Sequence, residues 1–149
     1  MRVCILGHGL SSLTLAKALV NQNIYVEIIS YKKKQKISLS RTLGISKSNI
    51  NFFNKNIINI EKLLWKLKKI EIYTDNLKNE KLLNFEKNDD QIFSIIKNYE
   101  LHRVLEKNLI KSSYFKKRYL KNVNLSFLRD YNIIINCDYS VSYTHLRAH

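Results

Sequence analysis

Gly7, Gly9 and Ser12 follow one another at the spacing G-x-G-x-x-S, and the chemistry that spacing serves is the binding of an anion by bare backbone. A glycine in the first position permits a sharp turn out of a strand. One in the second lets a pyrophosphate come close to the main chain. Leu10 and Ser11 then open a helix whose unpaired N–H groups and positive dipole end face the phosphates. Ser12 stands where a third glycine is usual, and a small side chain preserves most of the close helix–strand packing there. Other residues with chemical potential are sparse. Cys4 and Cys137 each lie in an apolar run, too isolated for a zinc site or a disulfide framework. They read as buried, reduced thiols of a reducing compartment. His145 and His149 are spaced i, i+4, but that spacing without further ligands does not make a metal site. No side chain stands out as a general acid or base, so no catalytic residue is expected.

The elements that must position the turn are legible around it. Residues 2–6 (RVCIL) are apolar and partly β-branched, as in a buried strand. Residues 11–21 follow helical spacing, Asn21-Gln22-Asn23 breaks it, and residues 24–29 form a second strand. This is a βαβ unit of about 30 residues, the context that gives the glycine spacing meaning. The second strand ends at Ser30, where a ribose-binding carboxylate is usual; a serine hydroxyl still hydrogen-bonds a ribose, more weakly. Lys32, Lys33 and Lys34 then read as a solvated loop. A third buried strand is expected at 132–137, parallel to and neighbouring the first two. Val3, Ile5, Leu19, Val26, Ile28 and Ile134 are the expected core.

In the middle of the chain, Ser46 or Ser48 caps a short helix running through Phe53. A further helix is expected from Asn56 or Asn59, with Ile60, Leu63, Leu64 and Leu67 on one face and Trp65 packed on it. Strands are expected at 70–74, 81–85 and 92–96, with a turn at Asn88-Asp89-Asp90. Asn98 reads as the N-cap of a helix carrying Leu101, Val104, Leu105, Leu109 and Ile110.

Composition bounds the rest. The chain has 149 residues, 45% of them hydrophobic, with no proline and three glycines, so it can pack a core and is neither a linker nor collagen-like. Net charge is +14, from 26 basic and 12 acidic residues. Lys, Asn and Ile share AT-rich codons, and the cations are scattered apart from Lys32–Lys34 and Lys116-Lys117-Arg118, so compositional drift is the main reading. A nucleic-acid-binding module would need clustered cations among exposed aromatics, and none is expected. No apolar run reaches the roughly 18 residues of a membrane span. The first 30 residues lack the order of a signal peptide. A cytoplasmic protein is expected.

Four segments, in order, resemble the FAD-dependent aromatic hydroxylases, specifically the ubiquinone-biosynthesis branch. They are the N-terminal VCILGHGLSSLTLAKAL, the loop Ser40-Arg41-Thr42-Leu43-Gly44-Ile45-Ser46, the helix start Ile95-Ile96-Lys97-Asn98-Tyr99-Glu100-Leu101 with Leu105, and Ile133-Ile134-Ile135-Asn136-Cys137-Asp138. The resemblance implies an α/β, Rossmann-like FAD-binding fold of the para-hydroxybenzoate-hydroxylase type, incomplete here, with a small β-strand insertion. It implies that Gly7, Gly9, Leu10, Ser11 and Ser12 take the pyrophosphate and that Ser30 stands at the ribose. It places Arg41, Asn98 and Asp138 as further FAD contacts. Alternatives are a surface cation, a helix cap and a strand-end carboxylate, and Tyr139 replaces the glycine that follows the family's aspartate. The whole enzyme would use NAD(P)H and O₂ to hydroxylate a prenylated phenol, with peripheral attachment to the inner membrane allowed. Residues 1–138 would be the N-terminal part of the FAD-binding domain. Residues 139–149 leave the family pattern and read as a translated artefact or a disordered tail. The chain alone would then be inactive, because the half that covers the flavin is not in it. The glycine spacing by itself also fits the NAD(P)-binding domain of a dehydrogenase, against which the three middle strands count.

Overall fold

The chain builds its first sheet from strands that are apolar on both faces. A computed structural model describes residues 1–30, 38–75, 81–86, 93–120 and 129–137. Strand β1 (Arg2–Leu6) runs into α1 (Leu10–Val20), which returns through a turn to β2 (Tyr25–Ser30). β1 pairs in parallel with β2, Val3 opposite Val26 and Ile5 opposite Ile28. Its other edge pairs in parallel with β9 (Ile133–Asn136), Val3 opposite Ile133. The three expected parallel neighbours are therefore present. A fourth parallel strand, β8 (Phe115–Tyr119), lies beyond β2, giving the order β8-β2-β1-β9.

Side chains alternate across this sheet. Val3, Ile5, Val26 and Ile28 face α1 and α3 (Asn98–Ile110) and join Leu13, Ala16, Leu101, Leu105 and Leu109 in the main core. Cys4, Leu6 and Ile29 face the other way, with Leu120 and Tyr131 packed on them. Two expected core residues are not buried. Ile134 is 44% exposed, because β9 is an edge strand and nothing described covers that face of it. Leu19 is half-buried, and Val20 is the residue that points inward.

After β2 the pattern changes. β3 (Thr42–Ser46) pairs antiparallel with β7 (Phe93–Lys97), and β4 (Trp65–Leu67) pairs antiparallel with the other edge of β7. β5 (Lys69–Tyr73) and β6 (Lys81–Glu86) form a separate antiparallel pair. Gly44, in β3, lies under the Phe93 ring: an added Cβ would meet it at 2.3 Å, so the ring packs on bare backbone. α2 (Lys47–Asn56) begins as expected at Ser46, whose Oγ accepts from the Asn49 N–H at 3.3 Å.

The helix expected from Asn56 or Asn59 does not form. Asn54 Oδ1 accepts from the Ile60 N–H at 2.9 Å and Asn59 Oδ1 from the Glu61 N–H at 3.0 Å. These side-chain bonds take the place of a helix start, leaving one 3₁₀ turn at Glu61–Leu63. The chain then extends as β4 because β7 offers an unpaired edge. Trp65 is 71% exposed rather than packed on a helix. The strand β8 was hidden in sequence by its three consecutive cations. The expected turn at Asn88-Asp89-Asp90, the expected loop at Lys32–Lys34 and residues 138–149 lie outside the described residues.

Candidate functional site

The glycine turn sits at the carboxyl ends of β1 and β2, the place where open α/β sheets bind ligands. Gly7 has φ 106°, a conformation only glycine adopts readily, and its N–H bonds the Ile29 carbonyl at 2.9 Å. Gly9 is the N-cap of α1, at φ −81° and ψ 178°. Leu13 N–H makes a helical bond to the Gly9 carbonyl at 3.1 Å, so the N–H groups of Leu10, Ser11 and Ser12 fall in the first turn, which has no intrahelical acceptors. A Cβ built on Gly9 would have no heavy atom within 4 Å among the described residues. The turn thus has a bare, open position beside a helix amino end, which suits a pyrophosphate.

The other expected contacts fall around it unevenly. Ser30 ends β2, is buried, and its carbonyl accepts from the Leu120 N–H at 3.0 Å. Ser12 is wholly buried, so its hydroxyl packs inward. It lies near the Cys137 thiol without a hydrogen bond of normal geometry; burial pushes that thiol's pKa up, and Ser12 opposes the shift. Arg41 and Asn98 are brought together: the Asn98 N–H donates to the Arg41 carbonyl at 2.9 Å. Asn98 is the first helical residue of α3, and Lys97 is the N-cap, so the expected capping role of Asn98 is not observed. Cys137 N–H donates to the Leu6 carbonyl at 2.9 Å, which brings the end of β9 beside the turn. Asp138 itself lies outside the described residues.

Two polar clusters were not read from sequence. The first touches the turn. His8 Nε2 donates to Glu106 Oε1 at 3.2 Å, and Lys117 bonds the same oxygen. His102 Nε2 lies 3.3 Å from the His8 carbonyl oxygen, with the two rings edge-on at 5.0 Å. Burial lowers the His8 pKa, Lys117 and His102 add to that, and Glu106 opposes it. Burial would raise the Glu106 pKa, but Lys117 and the two histidines hold it below the usual carboxylate value. The spacing of His102 and Glu106, i and i+4 next to Leu101 and Leu105, was a signal in the sequence.

The second cluster lies on the opposite face of the sheet. Glu27, 1% exposed, sits in β2. Arg118 Nε lies 2.7 Å from its Oε1, Tyr131 Oη donates to Oε2 at 2.6 Å, and Arg118 donates to Tyr131 Oη at 2.8 Å. A single acid in an otherwise apolar strand points to such a buried partner. Lys117 and Arg118 are therefore committed to internal acids, not to a basic surface patch.

An apolar groove of about 480 Å³ runs between α1 and α2, lined by Leu10, Leu15, Ala18, Phe52, Phe53 and Ile57 among others. It offers no acid or base. Among the described residues no His, Cys, Asp or Glu group could hold a metal ion, and no helix is long and apolar enough to cross a membrane.

Scans of the sequence against protein-family models and against curated proteins find no match. The fold does match solved structures. One is p-nitrophenol 4-monooxygenase PnpA from Pseudomonas putida DLL-E4: TM-score 0.65, 14% identity, 78% of this chain and 31% of that one covered. Another is PqsL, a probable FAD-dependent monooxygenase from Pseudomonas aeruginosa: TM-score 0.64, 16% identity, 80% and 32% covered. A third is the flavin-dependent monooxygenase PieE, solved with FAD and substrate: TM-score 0.61, 12% identity, 80% and 24% covered. The parallel sheet with its antiparallel companion thus has the FAD-binding monooxygenase fold. The chain spans about a third of the length of PnpA and PqsL and about a quarter of PieE.

Proposed function

We propose that the chain is the FAD-binding, N-terminal part of a flavin-dependent aromatic monooxygenase. The observation that carries this reading is the glycine turn: Gly7 at positive φ and Gly9 with open space at its Cβ, at the carboxyl ends of parallel strands in this fold. The residues present fit the ADP half of FAD. Gly7, Gly9 and the N–H groups of Leu10 and Ser11 would hold the pyrophosphate, the wholly buried Ser12 would pack behind them, and Ser30 would stand at the ribose in place of a carboxylate. Arg41, Asn98 and Asp138 would supply further contacts. Bound FAD would supply the redox chemistry, accepting a hydride from NAD(P)H and activating O₂ for ring hydroxylation. The protein's own share in this reading is binding and orientation.

The aromatic substrate is proposed to be a prenylated phenol of ubiquinone biosynthesis, in an enzyme resting peripherally on the inner membrane. The four ordered sequence segments, from the N-terminal fingerprint to residues 133–138, support this branch. A small aromatic substrate also agrees with the neighbours, one of them a p-nitrophenol monooxygenase and PqsL solved with 2-aminobenzoylacetate. The antiparallel β3-β7-β4 sheet, where a dehydrogenase would continue with βα units, weighs against a nicotinamide-binding domain.

The test is a flavin-fluorescence titration of the chain and its Gly9→Val variant. At φ −81°, and with no described non-adjacent atom within 4 Å of an added Cβ, the backbone accepts a side chain at position 9, so the effect of the valine falls on the ligand. FAD affinity should drop at least about tenfold, roughly 1.4 kcal/mol or more. Equal affinity in the two proteins would refute the assignment.

A further inference from the structure

The turn is held from behind by α3, and the geometry shows how. The His8 carbonyl can only accept, so His102 Nε2, 3.3 Å away, must carry the proton and donate. Its Nδ1 lies 3.9 Å from Glu106 Oε2, beyond hydrogen-bond reach. Glu106 is in turn held by His8 Nε2 and by Lys117 of β8. His102 is 6% exposed, and its ring packs edge-on against His8. The His8–Gly9 peptide is trans, like every peptide bond described. In a trans peptide the C=O and N–H point to opposite sides. With the His8 carbonyl fixed toward α3, the Gly9 N–H must face away from α3.

We propose that His102 is a positioning residue for the anion-binding turn: its bond to the His8 carbonyl sets the His8–Gly9 peptide so that the Gly9 N–H is presented to the phosphate. The proposal rests on the dinucleotide reading for its ligand, but the setting of the peptide stands on geometry alone. Asn98, one helical turn before His102, lies on the same face of α3. The helix that would bring Asn98 to the cofactor thus also orients the turn.

The experiment compares the full chain with its His102→Leu and His102→Gln variants; glutamine keeps an N–H donor and leucine removes it. Nitrogen-15 spectra of the free wild-type protein should show His102 protonated on Nε2. The Gly9 amide signal should shift and broaden in His102→Leu while Val3–Leu6 stay in place, and it should return toward the wild-type position in His102→Gln. ADP affinity should fall about five- to tenfold in the leucine variant and recover in the glutamine variant, the scale of one hydrogen bond. An Nδ1–H tautomer, an unmoved Gly9 signal, or no recovery with glutamine would overturn the proposal whatever ADP does. If the Gly9 signal moves and recovers but wild-type protein does not bind ADP, the dinucleotide reading fails while the positioning role is upheld. Should the leucine variant not fold, the tautomer and the glutamine variant decide.

Discussion

Replacing Arg118 by methionine should expose how much the fold depends on one buried charge. Glu27 is 1% exposed, with Arg118 Nε 2.7 Å from one carboxylate oxygen and Tyr131 Oη 2.6 Å from the other. Removing one partner of a buried ion pair leaves an uncompensated charge and costs roughly 3–5 kcal/mol. Two features reduce the loss here. Tyr131 still donates to Glu27, and the Arg118 side chain is 39% exposed, so water can reach the space it leaves. The expected loss is therefore about 3 kcal/mol, a large part of the stability of a domain this size. The double variant Glu27→Leu/Arg118→Met removes both charges but also both partners of Tyr131 Oη, and should cost about 1–2 kcal/mol, less than the single variant. With Glu27→Leu alone near neutral, because the 39% exposed Arg118 side chain then reaches water, the cycle would give a coupling of about 1–2 kcal/mol. Urea denaturation followed by far-ultraviolet circular dichroism measures all four proteins. A loss below about 1 kcal/mol for Arg118→Met, or a double variant as unstable as the single, would refute the reasoning.

Leu105→Ala, at a fully buried site between α3 and the sheet, should cost about 2–5 kcal/mol, whereas Ile134→Ala on the exposed edge strand should cost under about 1 kcal/mol; urea midpoints of the two variants check the contrast. Alkaline pH should unfold the protein early. Burial pushes the Cys4 thiol to about 11 from 9.0, and burial with the Glu27 hydrogen bond pushes Tyr131 to about 12 from 10.0. Both groups hold their protons more tightly when folded, so their contribution is complete below about pH 9 and is lost as pH rises toward 12. The urea midpoint should fall steadily between pH 9 and 11, and Tyr131→Phe should flatten the upper part of that fall; an unchanged midpoint would contradict it.

Local signals made the first 30 residues legible. The buried run at 2–6, the glycines at 7 and 9 and the apolar run before Ser30 each specify their element within a few neighbouring residues. What was not legible depends on partners far along the chain. Residues 59–67 have helix-like spacing, yet Asn54 and Asn59 bond backbone N–H groups and β7 supplies an edge. Lys116-Lys117-Arg118 looks like a solvated run, yet Glu106 and Glu27 draw it into a strand. Asn98 has the residue type of a cap, but the helix begins one residue earlier than that role requires. The cluster behind the turn was harder still. It joins His8 to residues 94 and 98 positions away, and only the i, i+4 pair on α3 hints at it.

The central claim is that the turn from Gly7 to Ser12 takes the ADP end of a flavin cofactor. Titrating nitrogen-15-labelled protein with ADP tests it residue by residue. The account predicts saturable amide shifts largest at Gly7, Gly9, Leu10 and Ser11, a smaller one at Ser30, and none in β5 or β6. Shifts confined to the apolar groove around Phe52 and Phe53, or no saturable shift at any ADP concentration, would contradict it.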